Sequence, residues 1–553
     1  MTSLRPVRTL RSLAPAPRAR ASAVLLLVMA ALAPAGAGAQ AGTQARDVRL
    51  DPPEILRGID DFVEAGMNDW GIPGLGLAVV KDNEVVYARG YGVLETGKDR
   101  AVTPTTLFGI ASVSKAFTAT AVGILVDEGI LGWDDPVVQH LPGFRLYDPY
   151  VTQTVTIRDL LAHRVGVGRM TGNRITWMPN SERSELIYRM RYAEPEQSFR
   201  NGYVYSNVMY MVAGEVVAAA SGMSWDDFVT QRILRPLGME RANTSVTLIA
   251  DSADAAWPHQ EIEGEVVPIQ RRNFDNVGPS ASLNLSVEDL ATWMRVHLGT
   301  PGEVDGVRLL SPATARELHR AQNRVPDQGL QGSLQSYGLG FQLSTFEGRR
   351  VSQHGGATDG MNTTLWLLPE ENLGVVVTTS TFNSFMTALA QRVVDRYLDI
   401  PDRPHDVRVL QGHERAFARA QATRDSMHAA REEGTSPSRP LPDFQGIFAD
   451  SLYGEAEVTR QGDALVLRFW DDDTQVLDLE HWHHDTFRAV WRNPAQREKF
   501  VWFTRGEGGG IDALHVRWNL RHDVIQVGVY PAFYTREAIF RRTEASITPS
   551  TPR

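Results

Sequence analysis

Strand-like segments stand at both ends of the first 400 residues, and they limit the folds that the chain can adopt. The runs 74–80 and 84–90 are apolar or alternate with apolar residues. Lys81-Asp82-Asn83 between them is a turn signal, so the two runs predict a β-hairpin. Further strands are predicted at 339–343, 350–354, 362–368 and 374–379, before a helix over 382–398.

Residues 115–300, between these two sets of strands, are mostly helical in pattern with Gly/Pro-rich connections. We therefore predict an α+β fold in which one antiparallel sheet takes strands from both ends of the region and is flanked by helices. The helical block docks at one side of this sheet. A cleft is expected between sheet and block, and Ser112 stands where the block begins.

A second, smaller unit is predicted in the last 110 residues. The prolines at 401 and 404 end the first unit, and a charged, Ala-rich helix is predicted over 413–433, followed by a Pro/Ser-rich linker. From Phe444 onward the chain turns to short β-like runs, which predict a small β-barrel or sandwich. The expected organisation is a main domain at 53–400, a helix and linker at 401–443, a β-rich accessory domain at 444–543 and a tail at 544–553.

The first 39 residues have the pattern of a signal peptide for export. Five arginines and no acidic residue precede the apolar run 21–33, and Ala37-Gly38-Ala39 is a small-x-small cleavage site. The apolar run is shorter than the roughly 20 residues of a spanning helix. We therefore expect a periplasmic or secreted protein with a flexible lead-in at 40–52 and no transmembrane span in the mature chain. An uncleaved membrane anchor is the alternative.

Charge and cysteine content exclude several classes of function. The net charge is −10, and removal of the leader with its five arginines makes it more negative, which argues against nucleic acid and anionic lipid as partners. Cysteine is absent, so the chain has no disulfide framework and no thiol nucleophile. No cofactor and no metal site are expected, and the sequence specifies no oligomeric state.

Ser112 and Lys115 form a Ser-x-x-Lys motif where an apolar stretch meets a helical pattern. Residues three apart share one face of a helix, so the lysine amine is expected beside the serine hydroxyl. A serine needs an adjacent base to act as a nucleophile, and burial of a lysine favours its neutral, basic form. Backbone N–H groups at the start of the helix can in addition stabilise an oxyanion.

Two further groups of residues fit the same site. Tyr205 and Asn207 precede an apolar helix and can direct a phenol and an amide into the cleft. His354, Gly355, Gly356 and Ala357 end a predicted strand, where two glycines allow close backbone approach to a ligand. The N–H of Ala357 is the candidate second oxyanion donor, and His354 can contact the substrate or assist proton transfer.

Ser112-x-x-Lys115, Tyr205-x-Asn207 and His354-x-Gly356, in this order, resemble the motifs of the serine β-lactamase and penicillin-recognising superfamily. The chain is most similar to class C β-lactamase-related serine hydrolases, which include esterases, D-aminopeptidases and D-alanyl-D-alanine carboxypeptidases. The resemblance covers residues 53–398, and the tail resembles the small β-domain often appended to these hydrolases.

The resemblance implies Ser112 as the acylated nucleophile, Lys115 as its base partner, Tyr205 as general base and acid, and Asn207 as a substrate-positioning residue. Lactamases of this group usually carry a lysine in place of His354, so histidine here is more typical of peptidases and esterases. The expected function is hydrolysis of a small ester or a D-amino-acid-containing amide or short peptide, including one derived from peptidoglycan. The alternatives are a weak β-lactamase and a non-catalytic protein that binds peptidoglycan or a penicillin-like ligand.

Two other hydrolase classes lack their motifs in this sequence. A lipase-type hydrolase needs Gly-x-Ser-x-Gly, and a zinc hydrolase needs a motif such as His-Glu-x-x-His. Neither is present. His163, after Leu160-Leu161, is interpreted as a packed, hydrogen-bonded histidine and not as a catalyst.

Overall fold

A computed structural model describes residues 52–168, 171–178, 181–251, 253–326, 335–494, 496, 498–517 and 537–543. The predicted signal peptide, nearly all of the lead-in at 40–52 and the tail at 544–553 lie outside the described residues.

The helices among these residues are, in chain order, Ile59–Trp70 (α1), Ser114–Asp127 (α2), Val137–His140 (α3), Pro149–Thr154 (α4), Ile157–Leu161 (α5), Arg183–Arg189 (α6), Asn207–Ser221 (α7), Trp225–Val229 (α8), Gly278–Ala281 (α9), Val287–Leu298 (α10), Pro312–Leu318 (α11), Phe385–Tyr397 (α12) and His405–Ala429 (α13). A short 3-10 turn, Ala111–Val113, leads into α2.

The strands of the first unit are Gly74–Lys81 (β1), Glu84–Gly92 (β2), Phe108–Gly109 (β3), His259–Ile262 (β4), Glu265–Pro268 (β5), Asn284–Leu285 (β6), Glu303–Val304 (β7), Val307–Arg308 (β8), Asn323–Arg324 (β9), Ser336–Tyr337 (β10), Gln342–Phe346 (β11), Arg349–Thr358 (β12), Met361–Leu368 (β13) and Leu373–Thr379 (β14). Those of the second unit are Gly446–Asp450 (β15), Gly454–Gln461 (β16), Ala464–Phe469 (β17), Val476–His483 (β18), Thr486–Trp491 (β19), Lys499–Arg505 (β20), Ile511–Arg517 (β21) and Glu537–Arg542 (β22).

The main sheet joins both ends of the first unit, which confirms the predicted α+β fold. Its eight antiparallel strands follow the order β2-β1-β14-β13-β12-β11-β10-β9. The early strand β1 pairs with the late strand β14 over its whole length, from Leu75 opposite Thr379 to Lys81 opposite Leu373. The predicted hairpin is the β1–β2 pair.

Both faces of this sheet are covered. Leu75, Leu77 and Val79 of β1 point to one face, where they join a buried cluster with α1 and α12. Ala78 and Val80 point to the other face and join the cluster of the helical block. This alternation follows from the two-residue period of a strand. It places the helical block, with α2 at its centre, against one face of the sheet.

Helix α2 lies deep in the block, because every residue from Ser114 to Leu125 is buried. α7 and α9 pack against it. Gly340 permits a close approach of the loop before β11: its φ is 85°, and a Cβ there would lie 2.8 Å from the Ala116 Cα. The start of α2 is therefore fixed from several sides.

The second unit is a closed eight-stranded barrel, one of the two architectures predicted for it. Helix α13 leads to the barrel, and both Arg424 and His428 bond to the buried Glu498, at 3.0 and 2.9 Å. The barrel also contacts the helical block: Arg189 donates to the Ser451 carbonyl at 3.1 Å. Tyr453 donates to the Thr171 carbonyl at 3.4 Å.

Several predicted boundaries differ from the structure, and three of them are informative. α13 begins at His405, directly after Pro404, because a proline at the start of a helix removes no intrahelical hydrogen bond. β12 extends beyond the predicted end at 354 to Thr358, so the two glycines lie inside the strand. The strand predicted at 339–343 is displaced to Gln342–Phe346.

Among the described residues, no helix taken alone is long and apolar enough to cross a membrane. The segments Asn207–Ser221 and Trp225–Leu234 reach that length only as a pair, bent by 78°.

A pair of histidines, His297 buried and His319 half-buried, lies behind α2. His319 Nε2 and His297 Nδ1 are 3.1 Å apart, and the other nitrogen of each ring has no hydrogen-bond partner among the described residues. The His297 ring contacts Trp293, which stacks on Phe117 of α2 with centroids 3.9 Å apart. Burial lowers the pKa of both imidazoles, that of His319 to about 4.

This pair predicts acid destabilisation. The unfolded chain takes up protons at these histidines below about pH 6.5, whereas folded His319 does not until about pH 4, and burial lowers the pKa of His297 as well. The free energy of unfolding is therefore expected to fall across this window, by about 3 kcal/mol from His319 alone. Urea unfolding between pH 7 and 4 measures this, and His319→Phe should make the decline shallower. Substitution of the exposed His484 by glutamine is the control. Equal declines of the free energy of unfolding in wild type and His319→Phe would contradict the prediction.

The barrel contacts predict that the barrel contributes to the stability of the first unit. A chain truncated after residue 435 is expected to fold but to be less stable, because α13 loses Glu498 and the helical block loses Ser451 and Tyr453. Circular dichroism and thermal unfolding of the truncated and full-length chains test this. Insoluble protein, or an unchanged melting temperature, would contradict it.

Candidate active site

The turn before α2 presents Ser112 at the surface of the cleft. Ala111 has a φ of 48°, which is unusual for a residue with a side chain, and it turns the chain from β3 into α2. Ser112 is partly exposed, while Ala111 and Val113 on either side are buried. The predicted helix start near Ser112 is thus a 3-10 turn, and the regular helix begins at Ser114.

Lys115 lies one turn further and is fully buried. Its Nζ is 3.0 Å from Ser112 Oγ, 2.7 Å from Asn207 Oδ1 and 3.0 Å from the Ser280 carbonyl oxygen. Burial lowers the pKa of this amine well below its ordinary value. None of the ion pairs among the described residues includes Lys115, so no carboxylate offsets the desolvation of its charge.

Burial favours the neutral form of the Lys115 amine, and its three neighbours can satisfy that form. A neutral amine has two N–H donors and one lone pair. Asn207 Oδ1 and the Ser280 carbonyl can only accept, so they take both donors. The lone pair is then directed at the third neighbour, the Ser112 hydroxyl. This is the arrangement that a base needs in order to remove the serine proton.

Tyr205 and Asn207 reach the site from the start of α7. The Tyr205 hydroxyl is 2.7 Å from Ser112 Oγ, and Lys115 Nζ lies 4.7 Å from the centre of the phenol ring. Ser206 caps α7 by accepting the N–H of Met209, which places Asn207 in the first turn. The described residues provide no acceptor for the Asn207 side-chain amide N–H groups, which leaves them for a ligand.

Two residues outside the predicted site hold this segment in place. His163, predicted as a packed histidine, accepts the N–H of Ser206 at 3.0 Å, and its ring lies 4.4 Å from that of Tyr205. Asn173 accepts the N–H of Asn207 at 2.8 Å and donates to the Tyr205 carbonyl at 3.4 Å. No sequence signal marked Asn173, because a lone asparagine in a loop has many ordinary roles.

β12 forms the opposite wall of the cleft. Its pairing with β11 ends at Gln353, so from His354 onward one edge of β12 has no strand partner among the described residues. Gly355 and Ala357 are exposed along this stretch. A Cβ at Gly356 would lie 2.1 Å from the Ile110 carbonyl oxygen, so glycine is required for β12 to approach the Ser112 turn. β12 therefore passes close to the Ser112 turn along the stretch where one of its edges lacks a strand partner in the described part of the chain.

His354 lies beneath this wall. Only 2% of its surface is exposed, Nε2 is 3.0 Å from the Tyr337 hydroxyl and Nδ1 is 2.7 Å from the Gly355 carbonyl. Burial and the nearby Lys115 lower the pKa of the imidazole to about 3. Both ring nitrogens make hydrogen bonds within the protein. Neither nitrogen is therefore free for the proton transfer that was predicted for His354.

The family model described as "Beta-lactamase" matches residues 59–398. The chain belongs to the beta-lactamase family. The resemblance predicted from the three motifs is therefore confirmed. A second model, "Domain of unknown function (DUF3471)", matches residues 430–528, which include most of the barrel.

Curated relatives include a protein that is named a hydrolase. The chain is 27% identical over 460 residues to "Unguisins hydrolase ungD'" from Aspergillus campestris, covering 80% of this chain and 83% of that protein. It is 25% identical over 337 residues to "Protein flp" from Staphylococcus aureus, covering 61% of this chain and 65% of that protein. At family level the chain is therefore a serine hydrolase relative with the beta-lactamase fold.

Solved structures share the fold along most of the chain. The octameric penicillin-binding protein homologue from Pyrococcus abyssi has a TM-score of 0.56 at 23% identity and covers 83% of this chain and 97% of its own. SurE has a TM-score of 0.53 at 20% identity and covers 88% of this chain and 99% of its own. These similarities establish the architecture.

The state of Lys115 predicts the pH dependence of activity. Activity is expected to be lost as the pH falls through the lowered pKa of Lys115, because protonation removes the lone pair directed at Ser112. Lys115→Arg, which cannot deprotonate, should reduce the rate by about 10²- to 10⁴-fold at every pH. The pH profile of kcat/KM for a neutral ester measures this. A flat profile, or an active Lys115→Arg variant, would contradict the assignment.

Proposed function

We propose that this protein is an exported serine hydrolase that cleaves an ester or a D-amino-acid-containing amide or peptide through an acyl-enzyme on Ser112. The observation that carries the proposal is the position of Ser112 Oγ, 3.0 Å from a fully buried lysine amine and 2.7 Å from a tyrosine hydroxyl. A binding protein gains nothing from a desolvated base beside a serine. Membership of the beta-lactamase family and similarity to a fungal hydrolase support the same reaction class.

In acylation, neutral Lys115 removes the Ser112 proton and Oγ attacks the substrate carbonyl. The resulting oxyanion is stabilised by the backbone N–H groups of Ser112 and Ala357, and Asn207 donates a side-chain N–H to the substrate. Tyr205 then gives its proton to the leaving oxygen or nitrogen as the bond to the carbonyl carbon breaks, and the Lys115 ammonium restores that proton. The products of this half-reaction are the acyl-enzyme and the free alcohol or amine.

In deacylation, water takes the place of the leaving group and loses its proton to Tyr205 and Lys115. The new oxyanion collapses and Ser112 leaves with a proton, which regenerates the starting state. Since the same groups transfer the proton in both directions, loss of either side chain slows both half-reactions.

The substrate class is inferred from His354. A neutral, buried imidazole offers no positive charge to a substrate carboxylate, whereas a lysine at this place in lactamases does. We therefore propose esters or D-amino-acid amides as substrates in preference to β-lactams. Export is part of the proposal and rests on the sequence of residues 1–39 alone.

The decisive measurement is burst kinetics with a short-chain 4-nitrophenyl ester. We expect release of about one equivalent of nitrophenol per enzyme before steady turnover when deacylation limits the rate, and loss of activity in Ser112→Ala. Mass spectrometry should find the acyl group on the peptide that contains Ser112. Ser114→Ala, which alters the neighbouring buried hydroxyl, is the matched control and should keep the burst.

The choice among substrate classes needs a panel of short esters, D-amino-acid amides, muropeptide stems and nitrocefin. Turnover of nitrocefin above that of the other substrates would overturn the preference for esters and D-amino-acid amides. Equal hydrolysis rates in wild type and Ser112→Ala would overturn the proposal that the protein is a hydrolase acting through Ser112.

A further inference from the structure

A pocket opens at the end of β12 that lies away from His354. Its wall includes Gly109, which is three residues before Ser112, and Ser282, which is two residues after the Lys115 acceptor Ser280. It also includes Thr358, which follows Ala357. The pocket therefore borders three of the backbone segments around the proposed active site, on the side away from Tyr205 and Asn207.

Two arginines line this pocket. Arg272 stacks on Trp177, with the guanidinium carbon 3.6 Å from the ring centre, and donates to the Thr176 carbonyl at 3.2 Å. Arg271 stacks on Trp257 at 4.2 Å and donates from one nitrogen to the carbonyls of Ala255 and Ala256. Each guanidinium is thus held in position by an aromatic face and by backbone acceptors.

The positive charge of this pair is incompletely balanced. Asp359 is the acidic residue in the pocket wall, and its Oδ2 stays 3.8 Å from Arg272 Nη1. Arg271 Nε is buried and has no hydrogen-bond partner among the described residues. Burial lowers the pKa of both guanidinium groups. Asp359 opposes this effect at Arg272, and the more distant Asp251 and Glu95 oppose it at Arg271, but burial outweighs them. A second anion would complete the site.

The proposed chemistry fixes which part of a substrate reaches the pocket. The leaving group must lie beside its proton donor Tyr205, whose ring is 6.4 Å from that of His354. The acyl part then extends the other way along the free edge of β12, towards Thr358. Four residues of strand separate the two positions, a span of about 13 Å.

We propose that Arg271 and Arg272 bind a carboxylate carried by the acyl part of the substrate. The inference rests on the proposed function, since the reaction at Ser112 defines the acyl side. It places the anionic group on the part of the substrate that remains in the acyl-enzyme. The apolar side chains of Leu107, Val246, Ile249 and Met361 in the same pocket exclude water and strengthen the attraction between the charges.

The first test compares matched substrates. The 4-nitrophenyl half-esters of succinic, glutaric and adipic acid are each paired with a neutral ester in which a methyl-branched terminus replaces the carboxylate. After subtraction of the spontaneous rate, we expect kcat/KM to favour at least one anionic ester over its partner. Arg272→Gln should reduce this preference roughly 10- to 100-fold while leaving the neutral ester nearly unchanged.

Two further variants are expected to shift the preference for the anionic ester in opposite directions. Arg271→Gln should reduce the preference, whereas Asp359→Asn should raise it, because it removes the acidic group that competes for Arg272. Arg350→Gln, at the other end of β12 and paired with Glu370 in solvent, is the control and should change nothing. If Arg272→Gln does not fold by circular dichroism, the other two variants decide the question. An unchanged preference in folded variants overturns the proposal while leaving the hydrolase intact.

A binding measurement separates this proposal from the reaction. Trp177 and Trp257 contact the two arginines, so their fluorescence should report a ligand in the pocket. Titration of the Ser112→Ala protein with glutarate should give a saturable change that is lost on further substitution of Arg272 by Gln. This readout stands even if no ester is hydrolysed. The absence of a saturable change, or its persistence without Arg272, overturns the carboxylate site.

Discussion

The structure of the site depends on one buried amine that pairs with no carboxylate in the part of the chain that the structure describes. Lys115 sits at full burial among acceptors that carry only partial charge, Asn207 Oδ1 and the Ser280 carbonyl. A charged ammonium is strongly disfavoured in such surroundings, whereas a neutral amine with two donors and one lone pair satisfies every contact. Three features around Lys115 favour its neutral state. These are the burial of α2, the glycines that let neighbouring segments approach, and the cap that places Asn207 in the first turn of α7.

Sequence reasoning predicted the features that local chemistry determines. The spacing of Ser112 and Lys115 on one helical face, the β1–β2 hairpin and the assembly of one sheet from both ends follow from periodicity and turn residues. The catalytic roles of these residues stay predictions until kinetics tests them. The predicted boundaries were less accurate where one residue type occurs in two different structural settings. Gly355 and Gly356 indicated the end of a strand, but Gly356 lies within β12 because the Ile110 carbonyl leaves no room for a side chain.

Other parts of the site were not accessible from the sequence because they depend on distant packing. Asn173 bonds both Tyr205 and Asn207 from the start of a 3-10 helix more than 30 residues earlier, and nothing in its local sequence marks it. The burial of His354 beneath the strand surface arises from Tyr337, which comes from another strand of the sheet. The two arginines form a pocket only because the chain before α9 returns to the end of β12.

The pairing of β1 with β14 also has a consequence for how the molecule forms. Leu75 and Thr379 are neighbours in the sheet although about 300 residues separate them along the chain. Contacts between such remote segments require closure of a very long loop, which slows folding of the native topology. The segment with Ser112 lies inside that loop. β12, which packs against this segment, is synthesised only shortly before β14. The reactive centre therefore cannot be complete before β12 is made, and a nascent chain that still lacks this strand carries the serine without one wall of its cleft.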